Sequence, residues 1–302
     1  SRPTRHKRQR GLTPARDVRG RRRNVHRPGG ADHDGFVTSP SDPEVAPQPP
    51  APVSPTCPAP IRRAWLRNTW DDLAFVHWPY EPAEVQALLP DGLRVDTFPS
   101  DDGRPQAWVS LVPFRMRRAG PTWLPPLPWI STFAETNVRT YVVDAAGHRA
   151  VWFLSLDATR LPVVAFARWA IGFPYVWSRM SIVREPGPTS GRLGERWTYE
   201  TVARRWPRTP AARTKLEVEN GEPVEPTPLD EFLTARWGTV AEWRGRLRHH
   251  PVDHPPWVLR EGSIVELADS AVTAAGLRPP TGEPVVRLAE RLDARFGRPQ
   301  GV

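Results

Sequence analysis

Three polar side chains occupy alternate positions within the most apolar part of this 302-residue chain. Glu135, Asn137 and Arg139 would share one face of a strand, because successive side chains of a strand point to opposite sides. Buried charges are retained in proteins where they are paired or functional. This face therefore predicts either a structural ion pair between Glu135 and Arg139 or a site for a polar ligand. In both cases we expect the three side chains to be buried or pocket-lining, with Arg139 in contact with a carboxylate.

Four further residues are candidates for the same site. His77 lies on an apolar segment, where a histidine is more often structural than an acid or base of a pocket. Arg115, Tyr175 and Arg179 have side chains that can orient a ligand through hydrogen bonds. Together with the polar face, these residue types suit a small ligand that is anionic or bears a carbonyl group.

Motifs for phosphate binding, dinucleotide binding, zinc proteolysis or a nucleophile elbow do not occur in the sequence. The best metal candidate is the run 249–254, in which His250 and His254 would share one face of a strand. Pro251 and Pro255 instead favour a loop, and no carboxylate follows on that face. We therefore predict no metal and no cofactor, and the sequence assigns no catalytic residue.

The elements around the polar face follow from local patterns. Residues 133–143 and 151–156 predict a β-hairpin, and the nearly all-apolar residues 162–171 predict a buried helix. The proline-rich residues 119–130 contain two tryptophans, which is typical of a stiff lid or wall over a pocket. The whole pattern predicts an α+β fold, a mainly antiparallel, barrel-like sheet of about nine or more strands with a few short helices.

The first 60 residues differ in composition from the rest. They hold 11 of the 42 basic and 5 of the 33 acidic residues, a net charge of +6, which leaves 31 basic and 28 acidic residues, a net of +3, for the remainder. All 14 tryptophans lie after residue 60. Residues 1–60 therefore predict a disordered tail, Arg-rich and then Pro-rich, and residues 61–302 a single domain. Nucleic-acid association through the tail is an alternative that we do not favour, because basic runs are commonly only solvated.

Cysteine usage and hydropathy bear on the compartment. The single cysteine, Cys57, permits no intramolecular disulfide, which fits a reducing environment. No stretch predicts a transmembrane helix or the apolar core of a signal peptide. We therefore expect a cytoplasmic protein with no membrane partner, and the sequence leaves a homo-oligomer open.

Several short motifs resemble the YqjF-like family of unknown function, and they span roughly residues 62–297. They are FVHWP at 75–79, WVSLVPFRM at 108–116, ETNVRTYV at 135–142, WFLSLDA at 152–158, GFPY at 172–175 and HPPW at 254–257. That family is held to share the acetoacetate decarboxylase-like fold. The resemblance therefore implies a single antiparallel barrel-type domain, in agreement with the strand pattern, and it implies no settled activity.

Decarboxylases of that superfamily use a lysine Schiff base, in a stretch similar to residues 172–174 followed by lysine. Tyr175 stands at that position here, and a phenol cannot form an imine. The chain has two lysines, Lys7 among tail arginines and Lys215 on a charged strand face. The resemblance thus implies the fold without Schiff-base chemistry, with Glu135 corresponding to an acidic pocket residue of those enzymes.

Two classes of function remain open from the sequence. One is a protein, enzyme or not, that binds a small polar molecule in a central pocket. The other is a non-catalytic structural or interaction module, in which the polar face of residues 135–139 serves the fold alone.

Overall fold

Strands dominate residues 48–188 and 192–302, the part of the chain that the computed structural model describes. Within it, the helices are α1 (Pro82–Gln86), α2 (Leu161–Phe166), α3 (Pro228–Thr234) and α4 (Ala271–Ala274), with a π-helical turn at Ala167–Ile171. The strands are β1 (Leu66–Asp71), β2 (Leu73–Tyr80), β3 (Leu93–Val95), β4 (Phe98–Pro99), β5 (Pro105–Pro121), β6 (Phe133–Asp144), β7 (Arg149–Ala158), β8 (Tyr175–Glu185), β9 (Arg196–Trp206), β10 (Thr214–Pro223), β11 (Gly238–Trp243), β12 (Arg246–Asp253), β13 (Leu259–Asp269), β14 (Val285–Ala289), β15 (Leu292–Phe296) and β16 (Gln300–Gly301).

The pairing of these strands closes two rings that share a wall. The first ring runs β1-β15-β12-β11-β7-β6-β5 and returns to β1, and the second runs β7-β8-β9-β10-β13-β14-β2-β5-β6 and returns to β7. Strands β5, β6 and β7 belong to both. The pairs β7–β8 and β7–β11 are parallel, and the other pairs are antiparallel. The predicted mainly antiparallel, barrel-like α+β fold is confirmed.

Strand β6 separates a packed interior from a hollow one. On one face, Val138 packs with Trp197, Tyr199 and Leu216 in the core of the second ring. On the other face, Glu135, Asn137 and Arg139 line a cavity inside the first ring. The period-two pattern of β6 therefore gives the shared wall one apolar and one polar side.

The apolar segment 162–171 is helical, as predicted, but its predicted burial is wrong. It forms α2 and the π-helical turn, and it ends at Gly172, whose φ of +91° favours glycine and where a Cβ would collide with the carbonyl of Glu242. Phe166 and Trp169 are exposed, Trp169 by 75%. The segment lines the cavity with Pro162, Val163 and Phe166, and Phe166 also faces solvent.

Residues 48–60, which the sequence analysis assigned to the tail, run along the surface of the domain. The amide of Gln48 donates to the carbonyl of Ala145 (3.1 Å), and the amide of Ala51 donates to that of Gly147 (2.8 Å). The carbonyl of Ser54 accepts from the indole of Trp237 (2.9 Å). These hydrogen bonds attach residues 48–60 to the domain. The Arg-rich residues 1–47 lie outside the described residues, and no described helix is long and apolar enough to cross a membrane.

A chain that starts at residue 61 is expected to be less stable than one that starts at residue 45. It loses the three hydrogen bonds above, each worth about 1 kcal/mol, so its thermal midpoint should fall by several degrees. Calorimetry of the two shortened chains side by side measures the contribution of residues 45–60. Equal midpoints would show that this segment contributes nothing to the fold.

Candidate functional site

The cavity of the first ring has a volume of about 550 Å³ and receives side chains from all seven strands of that ring. Its walls are largely aromatic, with Trp70, Phe75, Phe114, Phe153 and Trp257 among the lining residues. The stacked indoles of Trp70 and Trp257 lie 5.7 Å apart. Such a volume and lining are typical of small-molecule sites.

Glu135 is the acidic group of this cavity, and its burial favours the protonated form. Burial is the main cause that raises the pKa of Glu135 to about 8, while hydrogen bonding from Tyr175 and Asn137 acts in the opposite direction. The Tyr175 hydroxyl donates to Glu135 Oε2 at 2.9 Å. Burial and the neighbouring Glu135 also raise the pKa of Tyr175 well above its ordinary value. These shifts favour the neutral, protonated forms of both side chains at neutral pH.

Arg139 is the cation of the cavity, and its predicted carboxylate contact is wrong. Its guanidinium lies 5.2 Å from the ring of Phe75 and 5.7 Å from that of Tyr141, and Nη2 donates to the carbonyl of Leu233 (3.3 Å). None of the ion pairs among the described residues includes Arg139. The alternative of a Glu135–Arg139 ion pair also fails, because four residues of extended strand separate the two by about 13 Å.

Several residues that line this cavity carry polar atoms without a hydrogen-bond partner in the described part of the chain. These atoms are buried, and they include both donors and acceptors. They are Asn137 Oδ1, Arg139 Nε, Arg236 Nη2, Thr239 Oγ1 and His250 Nε2. Buried polar groups are normally hydrogen-bonded, so this concentration in one cavity marks a site that a ligand can complete.

Two histidines line the cavity, His250 on β12 and His254 directly after it, and both favour the neutral form at physiological pH. Burial is the main cause that lowers the pKa of His250 to about 4, and neighbouring His249 and Arg248 add to it. Burial also lowers the pKa of His254, whose ring packs 4.5 Å from that of Trp237. The described residues contain no cluster of three or more potential metal ligands. These histidines therefore offer neutral donor or acceptor nitrogens.

His77 does not line the cavity; it lies on β2, which pairs with β5 of the shared wall. Its Nδ1 is 2.5 Å from Ser110 Oγ, which is 2.7 Å from the hydroxyl of Tyr141. Burial, with lesser effects of Arg139 and Arg287, lowers the pKa of His77 well below its ordinary value. The hydrogen bonds and the neutral ring indicate a structural histidine.

Arg115 and Arg179 also lie away from the cavity. Arg115 Nε pairs with Asp72 Oδ2 at 3.1 Å, and Arg179 is exposed on β8. Of the seven predicted site residues, the structure thus brings four together around the cavity, and they are Glu135, Asn137, Arg139 and Tyr175.

Three lining residues were not among the predicted candidates. Arg236 follows α3, Thr239 lies on β11, and neither belongs to a motif. His250 was considered only as a metal ligand, although its sharing of a face with His254 did point to a common site. Arg236 is buried and pairs through Nη1 with Asp96 Oδ2 at 2.6 Å.

The mouth of the cavity lies between two apolar segments. Residues of the proline-rich loop, among them Trp123, Leu124 and Leu127, line it on one side. Pro162, Val163 and Phe166 of α2 line it on the other. The loop was predicted to be a wall or lid over a pocket, and it lies in the place that such a role requires.

Comparison with known proteins agrees with this architecture. The DUF2071 family, described as an uncharacterized conserved protein, matches residues 67–293. The uncharacterized protein YqjF of Bacillus subtilis (strain 168) is 28% identical over 231 residues, which cover 76% of this chain and 90% of YqjF.

Solved structures with the same fold are more distant in sequence. An acetoacetate decarboxylase-like enzyme from Sphingomonas wittichii RW1 superposes with a TM-score of 0.56 at 15% identity, covering 80% of this chain and 94% of the enzyme. The enduracididine biosynthesis enzyme MppR, complexed with the condensation product of pyruvate and imidazole 4-carboxaldehyde, gives 0.53 at 14% identity, covering 80% and 90%. The chain therefore belongs to the DUF2071 family, and its fold is that of the acetoacetate decarboxylase-like enzymes.

Proposed function

We propose that this protein binds a small organic anion, with a carboxylate or carbonyl head and an apolar body, in the cavity of the first ring. The observation that carries the proposal is the charge of the polar side chains that line the cavity. Arg139 has no carboxylate partner among the described residues, and burial raises the pKa of Glu135 to about 8, which favours its neutral form. Asp96 pairs with both Arg236 and Arg149, so its single negative charge is shared between two cations. An anionic ligand would therefore supply the negative charge that Arg139 lacks.

The unpartnered atoms narrow the class of ligand further. Arg139 Nε and Arg236 Nη2 can only donate, so they call for acceptor oxygens on the ligand, whereas Asn137 Oδ1 calls for a donor. A carboxylic acid that also carries a hydroxyl group satisfies these requirements, because its carboxylate accepts from the arginines and its hydroxyl donates to Asn137 Oδ1. The aromatic walls then suit an acyl or aryl body, because apolar surface gains free energy on leaving water.

The chemistry that the site supports is acid–base rather than imine formation. Lys215 is half-exposed on β10, where hydrogen bonding and attraction by Glu266 raise its pKa and favour the ammonium form. Glu135 can donate a proton to a ligand carbonyl, with Tyr175 as its hydrogen-bond partner. The MppR ligand named above derives from pyruvate, a keto acid, but the proposal for this chain rests on its own residues.

The substitution Arg139→Gln is expected to weaken binding of the anion while leaving the fold intact. A hydrogen bond to a charged group contributes about 1.5–3 kcal/mol, so the Kd should rise about 10- to 100-fold. Stability should change by less than about 1 kcal/mol, since no buried carboxylate is left unpaired. Titration calorimetry with octanoate, 2-oxooctanoate and octanol measures the binding, and native mass spectrometry of untreated protein detects any bound metabolite.

Arg179→Gln is the matched control, because it removes an arginine that is exposed on β8. It should leave the binding of both acids unchanged. If octanol bound as tightly as the acids, or if Arg139→Gln bound them as tightly as the wild type, the proposed anion site would be incorrect.

A further inference from the structure

Exposed apolar side chains cluster at the mouth of the cavity. We define the rim as residues 119–130 and 160–171. It contains Trp123, Leu124, Leu127, Trp129, Leu161, Phe166 and Trp169, and its three tryptophans are exposed by 67%, 63% and 75%. Trp123, Leu124, Leu127 and Phe166 both line the cavity and face solvent. Exposed apolar side chains that concentrate beside a cavity mouth mark an interaction surface.

Along the chain, the rim and its flanking residues carry basic but no acidic side chains, while exposed Glu242 of β11 lines a neighbouring pocket together with Arg168 and Trp169. Residues 117–134 and 158–174 contain Arg117, Arg118, Arg160 and Arg168 but no Asp or Glu. Arg160 donates to the carbonyl of Trp129 (2.7 Å) and lies 5.1 Å from its ring. Arg67, on the neighbouring β1, donates to the carbonyl of Leu124 (3.1 Å). Apart from Arg117, which pairs with Asp71, these arginines take part in no ion pair of the described residues.

We infer that the rim docks on an anionic lipid surface, so that the cavity opens toward the bilayer. Indole rings favour the membrane–water interface, where an apolar body and a polar N–H are both accommodated. Arginines beside them would contact lipid phosphates, and apolar residues between them would enter the headgroup region. The prediction of no membrane partner came from the lack of a spanning helix, which does not bear on surface docking.

The charge of the rim argues against a second copy of this chain as the partner. A two-fold interface places the same patch on both subunits. Arg160, and Arg118 immediately before the rim, would then face their own equivalents without acidic residues of the rim to neutralise them. An anionic lipid layer supplies the complementary charge, and it is also where a ligand with an apolar body would concentrate.

Vesicle flotation of the full chain tests the inference. The wild type should float with vesicles of equimolar phosphatidylcholine and phosphatidylglycerol, with affinity about fivefold or more above that for phosphatidylcholine alone. The double variant Trp123→Ser/Trp129→Ser should bind the mixed vesicles at least about tenfold more weakly. Brominated phosphatidylcholine should quench tryptophan fluorescence in the wild type and much less in this variant.

The matched control is Val183→Ser/Val265→Ser, which replaces two exposed apolar side chains on β8 and β13, away from the rim. It should bind like the wild type. The Arg-rich residues 1–47 are present in every protein, so their own attraction to anionic lipid affects all of them equally.

Three results would overturn the inference. The first is that the wild type does not float with the vesicles, and the second is that the wild type and the rim variant float equally. The third is that no protein binds vesicles, while sedimentation shows a wild-type dimer that the rim substitutions dissociate. Unchanged thermal midpoints of the variants would show that a loss of flotation comes from the surface and not from unfolding.

Discussion

Replacing Arg204 with methionine is expected to lower the free energy of unfolding by about 3–5 kcal/mol. Arg204 Nη2 donates to Asp157 Oδ2 (2.7 Å) and to Ser155 Oγ (2.6 Å), and Nε donates to Asp157 Oδ1 (3.0 Å). The side chains of the ion pair are 5% and 2% exposed. Methionine keeps most of the apolar volume, but it leaves a buried carboxylate without its cation. Asp157 lies on β7, so the damage falls on the wall that both rings share.

Urea unfolding of the two proteins measures this effect. Arg196→Met is the matched control, because Arg196 pairs with Glu219 on the surface and both side chains are nearly half exposed. That loss should cost less than about 1 kcal/mol. A cost for Arg204→Met as small as that of the control would show that Asp157 is hydrated or protonated in the folded protein.

The substitution Glu135→Gln is expected to change stability little at low pH and to become increasingly stabilising as the pH rises. The unfolded chain loses this proton near the ordinary pKa of 4.5, whereas the folded chain keeps it up to about 8. Between these values the folded state binds one more proton, so stability falls by about 1.4 kcal/mol per pH unit. The contribution is fully present below pH 4.5 and is lost as the pH rises through about 8. Glutamine is neutral throughout and can still accept the hydrogen bond from Tyr175.

Relative to the wild type, the variant should therefore gain stability steadily from pH 5 to pH 8. Urea unfolding at unit steps of pH measures the difference. Glu283→Gln, at an exposed position between α4 and β14, controls for the loss of one surface carboxylate. Parallel stability curves for the wild type and Glu135→Gln would mean that Glu135 is ionised in the fold and that the neutral cavity proposed above is wrong.

Both predictions concern the wall that the two rings share. The wall formed by β5, β6 and β7 carries a rigid ion pair at Asp157 and a buried acid at Glu135. The packed second ring thus supports the strand that presents the polar face to the hollow ring. A site of this kind gains precision because its side chains lie on strands rather than on mobile loops.

Local pattern by itself determined the fold class, the hairpin of β6 and β7, and the common face of Glu135, Asn137 and Arg139. The reason is that the two-residue period of a strand is a property of neighbouring residues and does not depend on what lies opposite. Composition, rather than periodicity, predicted that the proline-rich loop is a wall or lid of a pocket, because it is stiff and apolar.

Only the tertiary structure decided which groups meet inside the cavity. Closure of the first ring brings Arg236, Thr239 and His250 opposite a strand that lies about a hundred residues earlier in the chain. It also leaves Arg139 without a carboxylate, directs Arg115 toward Asp72, and exposes Trp169 to solvent. Spacing along the chain shows which side chains share a face, but contacts across a ring depend on strand pairing between distant segments, which local periodicity does not encode.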